Sequence, residues 1–196
     1  MAILTKSKLT ASKGALMALI FVPSLVLADQ AGATDKATVI EQTKPIIMSF
    51  GKHLKTELKQ AMMSGGPVKG IAACNVSAPK LTEQASASGW KVARTSLKWR
   101  NENNKPDAWE QKQLTEFDRK LAAGVSPKTL WAVHEDEKEI RVMKAITTQE
   151  VCLACHGQTL MPDVSKKLNE LYVNDRATGY NVGEIRGAFS LTKFKL

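Results

Sequence analysis

The spacing of hydrophobic positions predicts a long N-terminal helix. Apolar residues recur there at steps of three or four, the period of one helix face: Ile47, Phe50, Leu54, Leu58 and Ala61. Asp35 is a suitable N-cap, and Gly65-Gly66 is expected to end the helix. Pro67 suits the first turn of a second helix, which carries Cys74 and is expected to bend or stop near Pro79.

From Trp90 the period changes to two, which predicts a half-buried strand. One face would carry Ala93, Thr95, Leu97 and Trp99, and the other face Arg94, Ser96, Lys98 and Arg100. Further along, the pattern predicts a helix from an Asp107–Glu110 capping box to Gly124, followed by a hairpin of 129–134 and 139–146. A helix is then expected from a Thr147–Glu150 capping box, and a short helix capped by Ser165. The last predicted element is a closing strand over 185–191. This order indicates an α+β domain with an antiparallel sheet.

The N-terminus has the pattern of a secretory signal peptide. A basic region with Lys6, Lys8 and Lys13 precedes an apolar run over 15–27, and Val26-Leu27-Ala28 offers small residues for cleavage. The alternative is an uncleaved anchor, but the run is shorter than the ~20 residues that a membrane span requires. We expect a signal peptide over 1–28, a linker over 29–35, one domain over 36–196, a periplasmic location and no membrane span after cleavage.

Composition and charge narrow the function classes. The 196 residues contain 43% hydrophobic and 24% charged side chains, as in an ordinary globular protein. Removal of residues 1–28 takes away three lysines and no acidic residue, so the net charge falls from +9 to +6. The basic residues are scattered and no nucleic-acid recognition motif is present, so nucleic acid is not an expected partner. The positive charge favours an acidic partner or serves solubility.

The segment Cys152-Leu153-Ala154-Cys155-His156 has the Cys-x-x-Cys-His spacing by which c-type haem is attached. Each thiol would bind one vinyl group of the porphyrin, and two intervening residues let one helical turn present both sulfurs. His156, next in sequence, would ligate the iron as the proximal residue. A thioredoxin-like dithiol lacks its βαβ context here, and a zinc site with Cys74 would require adjacent Cys155 and His156 to bind one tetrahedral ion.

A haem iron also takes a ligand on its distal side. The candidates from the sequence are Cys74, His53, His134 and methionines such as Met161. Cys74 is the odd cysteine of an exported chain, where a spare thiol is a liability unless it is used. The alternative is that Cys74 is a small buried apolar residue.

Four segments in the same order resemble one protein family. They are 72–79 (AACNVSAP), 94–110 (RTSLKWRN, then NKPDAWE), 152–157 (CLACHG) and 175–190 (DRATGYNVGEIRGAFS). The chain resembles a family of exported c-type haem domains with a PAS-like fold, formerly a family of unknown function and often the sensor part of bacterial signalling proteins. The resemblance covers most of the chain after residue 36.

The resemblance implies an antiparallel sheet with flanking helices, one haem held against the sheet, and axial ligation by His156 and Cys74. Many members continue into a transmembrane helix, a kinase or a cyclase, whereas this chain stops at Leu196. Direct signalling by the chain is therefore not expected.

We expect a periplasmic mono-haem cytochrome that senses redox state or a gas such as CO or NO. A redox or signalling protein would bind it as the partner. The alternative is a soluble electron carrier. No further catalytic constellation is present, so an enzyme is not expected. At least one of four basic residues should contact a haem propionate: Arg94, Lys98, Arg100 and Arg186.

Overall fold

The computed structural model describes residues 35–195. The predicted signal peptide, residues 29–34 of the linker and Leu196 lie outside the described residues. In the described part, no helix is both long enough and apolar enough to cross a membrane.

A four-stranded antiparallel sheet forms the centre of the described chain. Its strands are β1 (Lys91–Thr95), β2 (Trp131–Glu135), β3 (Glu139–Thr147) and β4 (Ile185–Phe194), in the order β1-β4-β3-β2. The last strand in sequence thus lies between β1 and β3. Ala188 and Leu191 of β4 are fully buried and belong to the cores on the two opposite sides of the sheet. The alternation of residues along β4 in the sequence did not indicate that both faces of this strand are buried.

The N-terminal element is a helical hairpin, α1 (Lys36–Ser86), with a break at Gly65 and Gly66. Gly66 has φ +67°, a conformation that glycine adopts without strain. The first arm is residues 36–64 and the second arm is residues 67–86. The arms touch closely, because a Cβ on Gly70 would lie 3.0 Å from Met62 Sδ. The long N-terminal helix and its end at the glycine pair are confirmed.

Pro79 does not end the second arm, so of the expected bend or stop the stop was wrong. The helix continues to Ser86 although Pro79 has no N–H to donate to the preceding turn. Leu81 and Ala85, which follow the proline, pack against the buried cluster of Trp90 and Val92. Tertiary burial therefore maintains helical structure where the local sequence favours a stop.

Helices cover both faces of the sheet. The first arm contributes Val39, Ile47 and Phe50 to a core with sheet residues that include Val142 and Leu191. On the other face, α2 (Ala108–Ala122) packs through Leu114 and Phe117 against sheet residues that include Met143 and Ala188. The α+β class, the antiparallel sheet and the flanking helices are confirmed.

The first predicted capping box is present and the second is not. Asp107 Oδ1 accepts from the Glu110 N–H at 2.8 Å, and Glu110 Oε2 accepts from the Asp107 N–H at 3.1 Å. Thr147 instead ends β3, where it pairs with Ile185. The helical turns that carry the cysteine motif begin later, with a 3₁₀ turn over Glu150–Cys152 and then α3 (Leu153–His156).

Two further element boundaries differ from the expectation. Ser165 does not cap its helix, because α4 (Pro162–Leu171) begins at a proline that suits the first turn. Strand β1 ends at Thr95, since the backbone N–H of Ser96 turns away and donates to Asn104 O at 3.2 Å. Lys98 and Arg100 therefore do not share a strand face with Arg94, as the period-two pattern had predicted.

Candidate functional site

A cavity of about 610 Å³ opens between the second arm of α1, β1 and the cysteine motif. Its walls include Ile71 and Ala78 from the arm, Val92 from β1 and Gly187 from β4. The volume lies in the ~300–1,000 Å³ range of cofactor and ligand pockets. The site is therefore large enough for a cofactor and has walls from several separate segments.

The cysteine motif forms one wall of this cavity. Cys152 ends the 3₁₀ turn, and α3 places Cys155 and His156 one turn later, so that all three side chains line the cavity. Both cysteines are free thiols. Burial raises the pKa of Cys155, which keeps that thiol protonated at neutral pH. The helix ends at Gly157, where a Cβ would lie 2.7 Å from the Leu153 carbonyl oxygen.

His156 is held in a single orientation. Its Nδ1 lies 2.6 Å from Ala177 O, and because a carbonyl can only accept, Nδ1 carries the proton. The other ring nitrogen, Nε2, is then the one with a lone pair. Burial, together with the charges of Arg186 and Arg100, holds the pKa of His156 well below its usual range. A neutral imidazole with its Nδ1–H bound to a carbonyl is the usual state of an iron-ligating or zinc-ligating histidine.

Arg100 and Asp175 join the cysteine motif to the segment that orients His156. Arg100 Nε donates to Asp175 Oδ2 at 3.0 Å, and its Nη2 donates to Cys155 O at 2.6 Å. Asp175 Oδ1 in turn accepts from the Ala177 N–H at 2.8 Å. Sequence analysis gave Arg100 a different role and missed that of Asp175. The only sequence signal for Asp175 was its place at the start of the fourth family-like segment.

Tyr180 supports the histidine from the other side. Its ring meets the His156 ring edge to face, with centroids 6.4 Å apart. Its backbone N–H donates to His156 O at 3.0 Å, and the Gly179 N–H donates to Gly157 O at 3.0 Å. The segment 175–180 thus fixes the histidine through side-chain and backbone contacts. No period or spacing in the sequence identifies these contacts.

Cys74 lies on the second arm and lines the same cavity. Ile71, one turn earlier, is buried against Val164 and Leu168 of α4, which anchors this part of the arm. Burial raises the pKa of the Cys74 thiol, and the nearby charges of Arg94 and Arg100 oppose that rise. The structure thus brings Cys74, Cys152, Cys155 and His156 to one cavity.

The other residues considered for a distal ligand lie elsewhere. His53 is exposed on the first arm. His134 is on β2, where Nε2 lies 3.3 Å from Asp136 Oδ2. Met161 is 61% exposed at the start of α4. These three residues do not line the cavity. Of the methionines, Met62 on the first arm does line the cavity, so Cys74 and Met62 are the candidates that the fold places with His156.

Three of the four basic residues considered for propionate contacts line the cavity: Arg94, Arg100 and Arg186. Arg186 Nη1 donates to Ser96 Oγ at 2.9 Å, while its buried Nε has no partner among residues 35–195. The Arg94 side chain forms no hydrogen bond and no ion pair within the same residues, and burial lowers its pKa. Lys98 lies outside the cavity, with Nζ 3.4 Å from Thr178 O.

A zinc site with Cys74 was the alternative use of these thiols. In the described part of the chain, no group of three or more histidine, cysteine, aspartate or glutamate side chains is arranged to hold a metal ion. The zinc arrangement that was weighed from the sequence is therefore not found there.

Comparison with known proteins agrees with this fold. The chain is similar in structure to a cyanobacterial haem protein, Tll0287, whose crystal structure has a TM-score of 0.59 and 22% sequence identity over 83% of this chain and 98% of that chain. At this identity the similarity shows the fold. No curated protein matches the chain. A family model described as Tll0287-like matches residues 25–193. The chain therefore belongs to the Tll0287-like family.

Proposed function

We propose that this protein is a mono-haem c-type cytochrome that responds to redox state. The observation that carries the proposal is one cavity lined by two thiols at the Cys-x-x-Cys spacing, a histidine with its Nδ1–H fixed, and a third thiol on a facing helix. The structural relative is a haem protein by its printed title, which is consistent with the same cofactor here.

The residues of the cavity fit a haem group. The Cys152 and Cys155 thiols would each add across one vinyl group, with sulfur bonding to one carbon and hydrogen to the other, so no oxidant is consumed. His156 would bind the iron through Nε2 as the proximal ligand, because Ala177 O holds Nδ1–H. When bound, the haem supplies an iron centre that takes and gives one electron.

Cys74 is proposed as the distal ligand. Among the four distal candidates that sequence analysis named by number, it is the one that lines the cavity, and buried Ile71 on the same arm limits the movement of its backbone. Metal coordination deprotonates a thiol, which would reverse the effect of burial on the Cys74 pKa. A thiolate ligand adds negative charge and favours the ferric state, so we expect a low midpoint potential.

Arg94 is the strongest of the proposed propionate contacts. Its half-buried guanidinium lines the cavity without an ion-pair partner in the described chain, and a carboxylate group there would form a charge-assisted hydrogen bond with it. Arg186 has an unpaired Nε and is the second choice. Arg100 is already bound to Asp175 and Cys155, and Lys98 is outside the cavity, so these two are weaker choices.

Export to the periplasm remains part of the proposal and rests on the sequence of residues 1–28. Attachment of haem c fits the same compartment, because a free thiol in the oxidising periplasm is prone to disulfide formation unless it is bound to another group.

A sensor role is favoured by the position of Cys74 between the glycine break and Pro79. Reduction would weaken the bond between iron and the Cys74 thiolate, and loss of that bond would let the segment around Cys74 move and open a site for CO or NO. A partner protein would respond to the movement of that segment. The second candidate, a plain electron carrier, requires six-coordination in both redox states.

The central experiment compares Cys74→Ala with Val76→Ala. Val76 lies on the same arm, is 58% exposed and does not line the cavity. Cys74→Ala should keep the haem covalently attached by mass, lose the low-spin thiolate spectrum and raise the midpoint potential, while Val76→Ala stays like the wild type. An unchanged ferric spectrum in Cys74→Ala would remove Cys74 as ligand.

A redox titration followed optically, with and without CO, separates the two roles. A ligand change on reduction, with CO binding to the ferrous protein, supports the sensor. Unchanged six-coordination with rapid electron transfer to a redox partner supports the carrier.

A further inference from the structure

Three exposed cations stand over aromatic rings beside the cavity. Arg176 lies with its guanidinium carbon 4.5 Å from the centroid of Trp99, and Lys105 Nζ lies 5.6 Å from the same ring. Lys98 Nζ lies 4.8 Å from the centroid of Tyr180. Trp99 lines the cavity and Tyr180 packs on His156. We call Lys98, Lys105 and Arg176 the basic rim.

The charge of the basic rim is not neutralised by carboxylates. Over residues 35–195, other cations such as Arg119, Lys167 and Lys195 form ion pairs, whereas no rim residue does. Of the acidic residues nearby, Asp175 is paired with Arg100, whereas Glu102 and Glu184 accept hydrogen bonds from the neutral Asn174 and Asn181 and keep their charges. The hydrogen bonds from Asn181 and the charge of Lys98 lower the pKa of Glu184, but no ion pair joins Lys98 and Glu184. The three rim cations exceed the two charged carboxylates nearby, so the rim presents a net positive surface.

Two further features bear on this field. Arg94 and Arg186 line the cavity without carboxylate partners in the described chain, and in a haem-loaded protein the proposed propionate contacts would offset their charges and leave the rim cations as the unpaired ones. Charges of one sign around a cleft with low-dielectric walls concentrate the field at its mouth. The ring faces hold the rim cations in place, so less side-chain freedom is lost when a partner binds.

The cavity mouth also offers apolar surface. Val151, next to the cysteine motif, lines the cavity and is 54% exposed. Protein interfaces commonly combine an apolar centre with a charged border. Membrane-binding cations usually lie along one face of an amphipathic helix, whereas the rim residues come from two separate loops around a concave mouth. The geometry favours a protein surface as the occupant.

We propose that the basic rim is the docking surface for an acidic protein partner, which it places over the cavity mouth. This inference rests on the proposed function in one respect, that the partner exchanges electrons with, or reads the state of, a haem in that cavity. Binding of the acidic surface itself requires only the rim. Electrostatic docking of this kind acts mainly on the association rate and weakens with salt.

The test uses charge reversal in the full chain. The rim variant combines Lys98→Glu, Lys105→Glu and Arg176→Glu. The control variant combines Lys112→Glu, Lys128→Glu and Lys138→Glu, which changes the net charge equally at three exposed lysines that do not line the cavity. Binding of a fluorescent decaglutamate peptide is measured by anisotropy at several salt concentrations. This measurement works whether or not haem is present.

We expect the rim variant to bind the peptide at least about tenfold more weakly at low salt, and the control to stay within about twofold of the wild type. Equal weakening in both variants would mean a response to net charge alone and would overturn the proposal. Anionic phosphatidylglycerol vesicles form a second arm. If the rim variant loses vesicle binding but keeps peptide binding, the rim serves a membrane and the proposal fails.

Electron transfer adds a readout at the cavity itself. One electron passes from the reduced protein to hexacyanoferrate(III), an anion, or to tris(phenanthroline)cobalt(III), a cation. The rim variant should react about tenfold more slowly with the anion than the control variant does, and no more slowly with the cation. Equal effects on both oxidants would contradict the proposal.

Protein without haem would refute the proposed function but leave the peptide result valid. Should the triple variant not fold, Lys98→Glu and Lys105→Glu singly carry the same test.

Discussion

Replacement of Asp175 by asparagine tests whether the contact with Arg100 holds the site together. The two side chains are 9% and 12% exposed and form an ion pair at 3.0 Å. The asparagine oxygen could still accept from the Ala177 N–H, but the new NH₂ group would then face the Arg100 Nε–H, and two donors would meet. The arginine charge would stay buried without its partner.

Removal of one partner from a buried ion pair costs about 3–5 kcal/mol. We expect Asp175→Asn to lower the free energy of unfolding by about 3 kcal/mol, a large part of the ~5–15 kcal/mol that holds a domain together. Asp175→Ala should lose about 1 kcal/mol more, because the hydrogen bond to Ala177 also disappears. Urea unfolding followed by circular dichroism measures both changes.

Glu170→Gln is the matched control. Glu170 pairs with Lys167 at 2.9 Å, but the side chains are 46% and 30% exposed. Exposed pairs one helical turn apart contribute little to stability, because water and salt screen their charges. If Asp175→Asn lost less than about 1 kcal/mol, close to this control, the contact would not be a stabilising link and the reasoning above would be refuted.

Three further predictions concern the fold and the processing of the chain. Gly187→Ala should lower the melting temperature sharply and weaken haem retention, because a Cβ there would overlap the Thr95 carbonyl oxygen beside the cavity. Asp107→Ala should lower the free energy of unfolding by about 1–2 kcal/mol in urea titration, since a cap and a 2.6 Å contact with Arg141 are lost together. Intact mass of protein from the native host should show a chain that starts at Asp29 and carries one haem, and a retained Met1 would contradict the predicted signal peptide.

Local signals in the sequence located most of the elements. The Asp107–Glu110 capping box and the Gly65-Gly66 pair act through neighbouring backbone groups, so the residues themselves are enough to predict the boundary. Pro79 shows the limit of this approach, because burial of Leu81 and Ala85 maintains the helix beyond it. The same holds for β1, which ends early because Ser96 binds a loop that follows it in sequence.

The cysteine motif was predictable because its chemistry depends on spacing within five residues. The support around it was not, since Arg100, Cys155 and Asp175 meet only when distant segments fold together. The resemblance to a known family marked Cys74, and the fold brings it to the cavity of His156. No sequence pattern indicated that Ala177 O would orient the histidine, because any residue supplies a carbonyl there.

The central position of β4 has a consequence for the order of folding. Strand β1 has no neighbour in the sheet except β4, with Arg94 paired to Phe189, so these two segments must meet across a long stretch of chain. Such distant pairings form slowly, because the entropy cost of closing the loop comes before any stabilising contact between the strands has formed. The hairpin of β2 and β3 can form earlier, while the wall that carries Arg94 is still absent. We therefore expect Cys152 and Cys155 to stay open to solvent until late in folding, which would leave time for the proposed haem to reach both thiols before the sheet is complete.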